Sequence, residues 1–291
     1  METKAINNIS YKEKIKGYKK DPFSALLLVL VVLAAVITMG VLVSLVVYIV
    51  AKGVPNITPE LFAWEYNTEN VSMMPAIINT LIITLVSLFF AVPIGIFSAI
   101  YLAEYAKRGN RFIPVVRLTT ETLAGIPSIV FGLFGYLLFN IYLGWGYSIL
   151  GGALTLAIMI LPLIMRTTEE ALLSVSDMYR EGSFGLGAGK LRTVFRIVLP
   201  SAVPGILSGV ILSIGRIVGE TAALLYPAGT APVVPSSMME SGRTLAVHMY
   251  ALLNEGLYTE QAYATAVVLL VLVIGINALS AFIAKRVGVK G

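Results

Sequence analysis

Long apolar runs separated by short polar stretches dominate the chain. Six of these runs are long enough to cross a bilayer, because a transmembrane helix needs about 20 mostly apolar residues. They lie near 23–50, 74–102, 112–142, 148–165, 201–225 and 260–284. The first run is too long for the apolar region of a cleaved signal peptide, so we expect it to remain as a helix. The pattern predicts an all-α polytopic membrane protein with six transmembrane helices.

Composition supports this interpretation and argues against several other classes of protein. Of the 291 residues, 57% are hydrophobic and 13% are charged, whereas soluble domains carry about 25% charged residues. The chain has no cysteine and one histidine, His248, so neither a disulfide framework nor a zinc site is expected. The net charge is +5, but the basic residues are not interleaved with aromatic residues, and nucleic-acid binding is therefore not expected.

The basic residues are distributed unevenly between the two sides of a six-helix arrangement. One side carries Lys4, Lys12, Lys14, Lys16, Lys19, Lys20, Lys107, Arg108, Arg111, Arg166, Arg180, Lys190, Arg192, Arg196, Lys285, Arg286 and Lys290. The loops of the other side hold only Lys52 and Arg243. Because short cytoplasmic loops carry an excess of Lys and Arg, both termini and the 166–200 loop are predicted to be cytoplasmic. We expect a basic cytoplasmic tail at 1–22 and a single transmembrane domain at 23–291.

Two pairs of opposite charges lie within the predicted spans. Arg216 and Glu220 are four residues apart in the fifth span, and Arg117 and Glu121 are four residues apart in the third. This spacing places each pair on one helix face, within reach of an ion pair. Since a charge at the bilayer centre costs about 2.5–3.5 kcal/mol on insertion scales, we expect these four residues to serve a transport pathway.

Small and polar residues accompany the first of these pairs. Gly205, Gly209 and Ser213 precede Arg216 and Glu220 at helical spacing, as expected of a helix face that borders a pathway. An oxyanion such as phosphate needs a cation at membrane depth, and a guanidinium group can bind its oxygens in bidentate fashion. The alternative is that the charge pair only fixes its helix to the neighbouring helices, and the residue chemistry alone leaves both interpretations open.

The stretch from 181 to 200 carries the most specific motif. Its anchor residues are Glu181, Gly182, Ser183, Gly187, Ile197, Leu199 and Pro200. Their spacing resembles the E-A-A-x3-G-x9-I-x-L-P signature of ABC importer permeases, with Gly182 and Ser183 in place of the two alanines. The resemblance implies the type I ABC importer permease fold, in which a short coupling helix in the loop 166–200 docks on an ATP-hydrolysing partner and transmits its motion.

Two further blocks narrow the resemblance to phosphate importer permeases. Residues 215–222 (GRIVGETA) are similar to the G-R-x-x-G-E-T-A stretch of that family, and residues 123–134 (LAGIPSIVFGLF) are similar to its L-A-G-x-P-S-I-V-x-G-L helix. Residues 244–250 resemble the A-type permease subunit of such importers more than the C-type permease subunit. The resemblance implies a bacterial inner-membrane protein that forms half of a phosphate pathway. It implies a heterodimer with the sister permease PstC, two copies of the ATPase PstB and the phosphate-binding protein PstS.

The chain carries no ATP-binding motif of its own. A Walker A loop requires G-x4-G-K-[ST], but around Gly189 and Lys190 the two outer positions are Phe184 and Leu191. We therefore expect a transporter subunit rather than an enzyme. ATP and Mg²⁺ would be bound by the partner ATPase, with no cofactor in this chain.

Several other functions stay open at this point. Within the same class, the chain could be a permease for sulfate or molybdate, or the sister phosphate subunit PstC. From other classes, it could be an ion-driven secondary transporter or a membrane scaffold. Secondary transporters often contain inverted repeats, which we do not find, and a scaffold has no need of charges within its spans.

Overall fold

The computed structural model of the protein describes residues 22–106, 109 and 111–288, and within these ranges it is helical without strands. Its α-helices are α1 (Pro22–Gly53), α2 (Met74–Ile100), α3 (Phe112–Ala124), α4 (Ser128–Gly135), α5 (Ile149–Leu173), α6 (Asp177–Gly185), α7 (Lys190–Thr193), α8 (Leu199–Val218), α9 (Leu245–Glu255) and α10 (Thr259–Gly288). Short 3-10 helices lie at Val54–Asn56 and Pro59–Phe62. Three π-helical segments, Tyr101–Tyr105, Tyr136–Tyr142 and Val194–Val198, continue or join these helices.

Five helical stretches are long and apolar enough to cross a membrane. They are Pro22–Asn56, Met74–Tyr105, Ile149–Leu173, Lys190–Val218 and Thr259–Ala284. A sixth span is possible if the bent pair Phe112–Ala124 and Ser128–Tyr142 counts as one. The prediction of an all-α polytopic membrane protein is therefore confirmed, although the fifth predicted span, 201–225, ends early, at Val218.

The third predicted span, 112–142, is not one continuous helix. Its two halves, α3 and the α4 stretch, are bent by 101° at a short break. The break contains Gly125 and Pro127, and Pro127 adopts φ −58 and ψ 141. Proline disfavours helical geometry in the residue before it, so Ile126 cannot continue α3 and the chain changes direction. The apolar run near 112–142 therefore corresponds to two helical halves separated by this break.

The chain divides into two compact units, residues 1–51 and Lys52–Gly291. In the first unit the described part is residues 22–51 of α1, none of which is buried. An apolar helix without a buried face is typical of a segment solvated by lipid. Residues 1–21, which form most of the predicted tail, lie outside the described residues, as do Lys107, Arg108 and Lys290. The domain boundaries 1–22 and 23–291 stay predictions.

In the second unit α2, α5 and α8 form the core. Its largest apolar cluster is centred on α2 and α5 and includes Ile83, Ala91, Leu156, Ile160, Ile164 and Ile217. Buried hydroxyl groups on α2 are satisfied within the membrane: Ser87 Oγ donates to the carbonyl of Ile83 (2.7 Å) and lies 2.9 Å from that of Ala153 on α5. Hydrogen bonds of this kind hold helices together where water is absent.

Loop contacts define two sides of this unit. We call one the motif side, formed by residues 101–106 and 174–198, where Glu104 contacts Arg180. The other, which we call the opposite side, is formed by residues 54–73, 143–148 and 219–258. There the Ser148 amide donates to the carbonyl of Pro227 (3.0 Å).

Candidate functional site: the motif loop and the charged residues

The motif loop folds into the short helix α6, which has defined signals at both ends. The Ser176 hydroxyl accepts a hydrogen bond from the amide of Met178, which caps the N-terminus. At the other end Gly187 has φ +81, and the amides of Gly187 and Ala188 donate to the carbonyls of Phe184 (2.9 Å) and Ser183 (3.1 Å). This pattern is a Schellman motif, in which glycine takes the left-handed position at low cost. The glycine of the signature therefore ends α6.

The first three motif residues divide between two faces of α6. Glu181 and Gly182 are exposed, whereas Ser183 is buried with its Oγ 2.8 Å from the Oγ1 of Thr193. Apolar side chains are also exposed here, with Met178 at 78% and Leu186 at 91%. A short helix that presents apolar side chains next to an acidic one is typical of a protein contact surface.

The last motif residues connect this loop to the following span. Ile197 lies in the π-helical segment before α8, and Leu199 and Pro200 are the first two residues of α8. The neighbouring Val194 and Val198 are buried against Leu172 at the end of α5. The motif loop is thereby packed directly on the spans α5 and α8.

Arg216 and Glu220 do not form the predicted ion pair. Arg216 lies in the last turn of α8, which ends at Val218, so Glu220 is outside the helix. The Glu220 Oε1 instead accepts a hydrogen bond from the amide of Ala223 (3.1 Å). The i,i+4 relation requires a continuous helix, and the helix ends before Glu220. Among the described residues no ion pair involves the half-buried Arg216.

Two of the small residues that precede Arg216 lie close to α5, and the third is buried. A Cβ at Gly205 would lie 2.7 Å from the Cβ of Ala171, and one at Gly209 would lie 2.7 Å from the Cβ of Thr167. Ser213 is fully buried. Gly205 and Gly209 therefore lie at the contact between α8 and α5, because the lack of a side chain lets the two backbones approach closely. That these three positions also border a pathway stays a prediction.

Arg117 and Glu121 share α3 but are not paired with each other. The guanidinium of Arg117 binds Glu169 on α5, with Nε 2.9 Å and Nη2 2.5 Å from Oε1. Glu169 is 13% exposed. Glu169, rather than Glu121, is therefore the carboxylate that pairs with Arg117, through charge-assisted hydrogen bonds to one oxygen. A cavity of about 200 Å³ lies beside the pair and is lined in part by Glu121 and Arg166.

The two sequence blocks that are similar to phosphate importer permeases, residues 123–134 and 215–222, are in direct contact. Gly132 of the first block is buried on α4, and a Cβ there would lie 2.8 Å from the carbonyl oxygen of Ala222 and 3.0 Å from the Cα of Ala223. Both residues belong to the turn that follows α8 and that Glu220 caps. The helix after the break is thus packed against the segment that carries Arg216 and Glu220.

A cluster on the opposite side was not found from the sequence. Arg243 is 4% exposed, and its guanidinium carbon lies 4.8 Å from the ring centroid of Tyr66. His248 on α9 is fully buried and its ring meets that of Tyr66 edge-on, with the centroids 6.2 Å apart. The nearby Asn79 of α2 donates to the backbone carbonyls of Val233 (2.9 Å) and Arg243 (3.2 Å). No local spacing indicates this cluster, because its members come from three distant segments.

Burial of His248 leads to a prediction about pH. Burial first, and the charge of Arg243 second, lower the pKa of His248 from 6.5 to about 3. The folded protein therefore excludes a proton that the unfolded chain binds below about pH 6.5, so stability falls as the pH falls from about 6.5 towards 3. We expect a loss of up to about 1.4 kcal/mol per pH unit in this window, measured as the melting temperature of the purified protein between about pH 7.5 and 5.5.

The His248→Gln variant is the matched control for this measurement, since its amide does not titrate and the chain has no other histidine. Its melting temperature should vary less with pH than that of the wild type. Equal slopes for the two proteins would show that His248 is not the group responsible.

Comparisons with known proteins agree with this architecture. Residues 91–289 match the family described as "Binding-protein-dependent transport system inner membrane component". A Bacillus subtilis protein named "Probable ABC transporter permease protein YqgI" is 35% identical over 77% of this chain and 81% of its own length. The Mycobacterium leprae protein named "Phosphate transport system permease protein PstA" is 34% identical over 84% of each chain.

A solved structure extends the comparison to the fold. A chain from a bacterial ABC transporter involved in the import of the acidic polysaccharide alginate aligns with a TM-score of 0.65 at 17% identity, over 93% of this chain and 98% of that one. At this identity the likeness concerns the fold alone, and it confirms the predicted type I ABC importer permease fold. On the family match and these relatives, the chain is a multi-pass membrane protein that belongs to the binding-protein-dependent transport system inner membrane component family.

Proposed function

We propose that this chain is one of the two transmembrane subunits of an ATP-driven phosphate importer, of the A type, PstA. It forms half of the translocation pathway. Its partners are the sister permease PstC, two copies of the ATPase PstB, which bind ATP and Mg²⁺, and the phosphate-binding protein PstS. The phosphate transport permease named above, similar over 84% of both chains, supports this assignment.

The assignment of phosphate as the substrate rests mainly on the guanidinium of Arg216. It lies in the last turn of a span and is half-buried, without a carboxylate in ion-pair contact among the described residues. A partly buried cation without a counter-ion attracts an anion, and guanidinium geometry suits two oxygens of a phosphate. An importer must also release its substrate, which a single charged contact at the end of a span allows. We include Glu220 in the pathway as the residue that shapes the turn beyond Arg216, and Arg117 and Glu121 as residues at its other end.

We place the motif side in the cytoplasm, with both termini. The motif side carries Arg180, Lys190, Arg192 and Arg196, and positively charged loops favour the cytoplasmic side. In this orientation the exposed face of α6, with Glu181 and Gly182, meets the ATPase. That contact is linked to the following span by Gly187, which ends α6, and by Ile197, Leu199 and Pro200, which lead into α8. Phosphate enters from the opposite side and passes Arg216.

Uptake by proteoliposomes that contain all four purified components tests this function. Loaded with ATP and supplied with binding protein, they should accumulate labelled phosphate but not sulfate or molybdate. A vesicle preparation with a hydrolysis-deficient ATPase is the control and should accumulate none. Uptake of sulfate or molybdate in preference to phosphate would instead support the other oxyanion permeases. Uptake that continues without ATP and ends when ion gradients are dissipated would support a secondary transporter and overturn the proposal.

A further inference from the structure

The guanidinium of Arg180 on α6 donates hydrogen bonds to four residues. Its Nε and Nη2 donate to the Glu104 Oε1 at 3.1 and 2.6 Å. Its Nη2 also donates to the carbonyl of Leu172 (2.9 Å), and Nη1 donates to the carbonyl of Val175 (2.6 Å) and to Asp177 (3.1 Å). Arginine has five N–H donors, so every donor of Arg180 has an acceptor.

Two of these acceptors lie at the ends of core spans. Glu104 lies in the π-helical end of the α2 span, and Leu172 lies in the last turn of α5. The carbonyls at a helix C-terminus lack partners within the helix and favour a cation. One side chain of α6 therefore joins the ends of two core spans.

Burial distinguishes this contact from an ordinary surface ion pair. The side chains of Arg180 and Glu104 are 14% and 8% exposed, whereas Asp177 is 78% exposed. Exposed ion pairs contribute little because water competes for both partners. Removing one member of a buried, hydrogen-bonded pair leaves the other charge without compensation and is costly. The contact with Glu104 is the one that we expect to matter, and the contact with Asp177 is not.

We propose that Arg180 is a positioning residue that transmits displacement of α6 to α2 and α5, so that the ATPase moves both spans together. This inference rests on the proposed function, since it requires that α6 receives the ATPase. The motif residues form the docking surface and the turn, and none of them contacts the α2 span in this way. Without the Arg180–Glu104 contact, α6 can move while α2 stays in place, and ATP is then hydrolysed without transport.

The test is the number of ATP molecules hydrolysed per phosphate imported by the four-component proteoliposomes. Glu104→Gln keeps the shape but removes the charge, and Arg180→Lys keeps the charge but has too few donors for all of the acceptors. We expect each variant to raise the ratio about tenfold, as losing a charged hydrogen bond allows. Assembly and ATPase activity without binding protein should match the wild type. Asp177→Asn, which changes an exposed acceptor of the same guanidinium, should leave the ratio unchanged.

The double variant separates transmission from general damage. If Arg180 and Glu104 act through one contact, the double variant should be no worse than either single variant, because interacting residues are not additive. Effects that multiply, or a ratio that stays at the wild-type value in the single variants, would overturn the proposal. A wild-type complex whose uptake does not require ATP would instead overturn the proposed function, so the two failures are distinguishable.

Discussion

Replacing Arg216 by glutamine should reduce ATP-dependent phosphate uptake by about 30-fold or more, with the complex still assembled. Loss of a charged, hydrogen-bonded contact costs about 2–5 kcal/mol, and 1.4 kcal/mol corresponds to a factor of ten. Because Arg216 makes no ion pair among the described residues, its removal leaves no buried carboxylate without a partner. The expected loss therefore reports on the transported anion rather than on folding. The measurement is the initial rate of labelled phosphate uptake into proteoliposomes.

Two further variants make this result interpretable. Arg216→Lys retains the charge without the planar, two-pronged geometry, and should keep an intermediate rate if bidentate binding of phosphate matters. Arg286→Gln removes an arginine near the end of α10 that lies over the ring of Phe282 (4.7 Å), and should transport at the wild-type rate. Normal uptake by Arg216→Gln would show that Arg216 is not part of the pathway. The assignment of phosphate as the substrate would then rest only on the similarity to named relatives.

The parts of the structure that the sequence predicted depend on short-range patterns. The apolar runs identified five spans and the position of a sixth, because an apolar run of about 20 residues is by itself enough to indicate a transmembrane helix. The signature spacing located α6 and its terminating Gly187, whose φ of +81 is a local requirement.

The predictions that failed concern which residues meet across the fold. The i,i+4 spacing predicted the ion pairs Arg216–Glu220 and Arg117–Glu121. That spacing does not show where α8 ends, which is at Val218, or that Glu169 lies opposite Arg117. Helical spacing likewise identified a stripe of small residues without showing which side faces α5. The Arg180–Glu104 contact and the Arg243–Tyr66–His248 cluster join residues more than seventy positions apart. Only the tertiary arrangement brings such residues together.

Gly132→Ala should have the largest structural effect of the single-methyl changes in the recognised blocks. The added Cβ would lie 2.8 Å from the carbonyl oxygen of Ala222 and 3.0 Å from the Cα of Ala223. Both are backbone atoms, so no side-chain rotation can relieve the overlap, and such overpacking costs about 1–3 kcal/mol. We expect a lower melting temperature and, because the displaced turn follows Arg216, a lower rate of phosphate uptake.

Gly125→Ala is the matched control in the same block. A Cβ there would lie 3.5 Å from its nearest neighbour, the carbonyl oxygen of Thr122, which is an ordinary contact. Alanine is preferred over glycine in a helix by about 1 kcal/mol, so propensity alone predicts that Gly132→Ala in α4 would stabilise the protein. A loss of stability at Gly132 against that preference, with little change at Gly125, can come only from the close approach of α4 to the turn after α8. Equal melting temperatures for the wild type and Gly132→Ala would mean that the two blocks are not packed as tightly as this structure has them, and the link between that contact and Arg216 would fail with it.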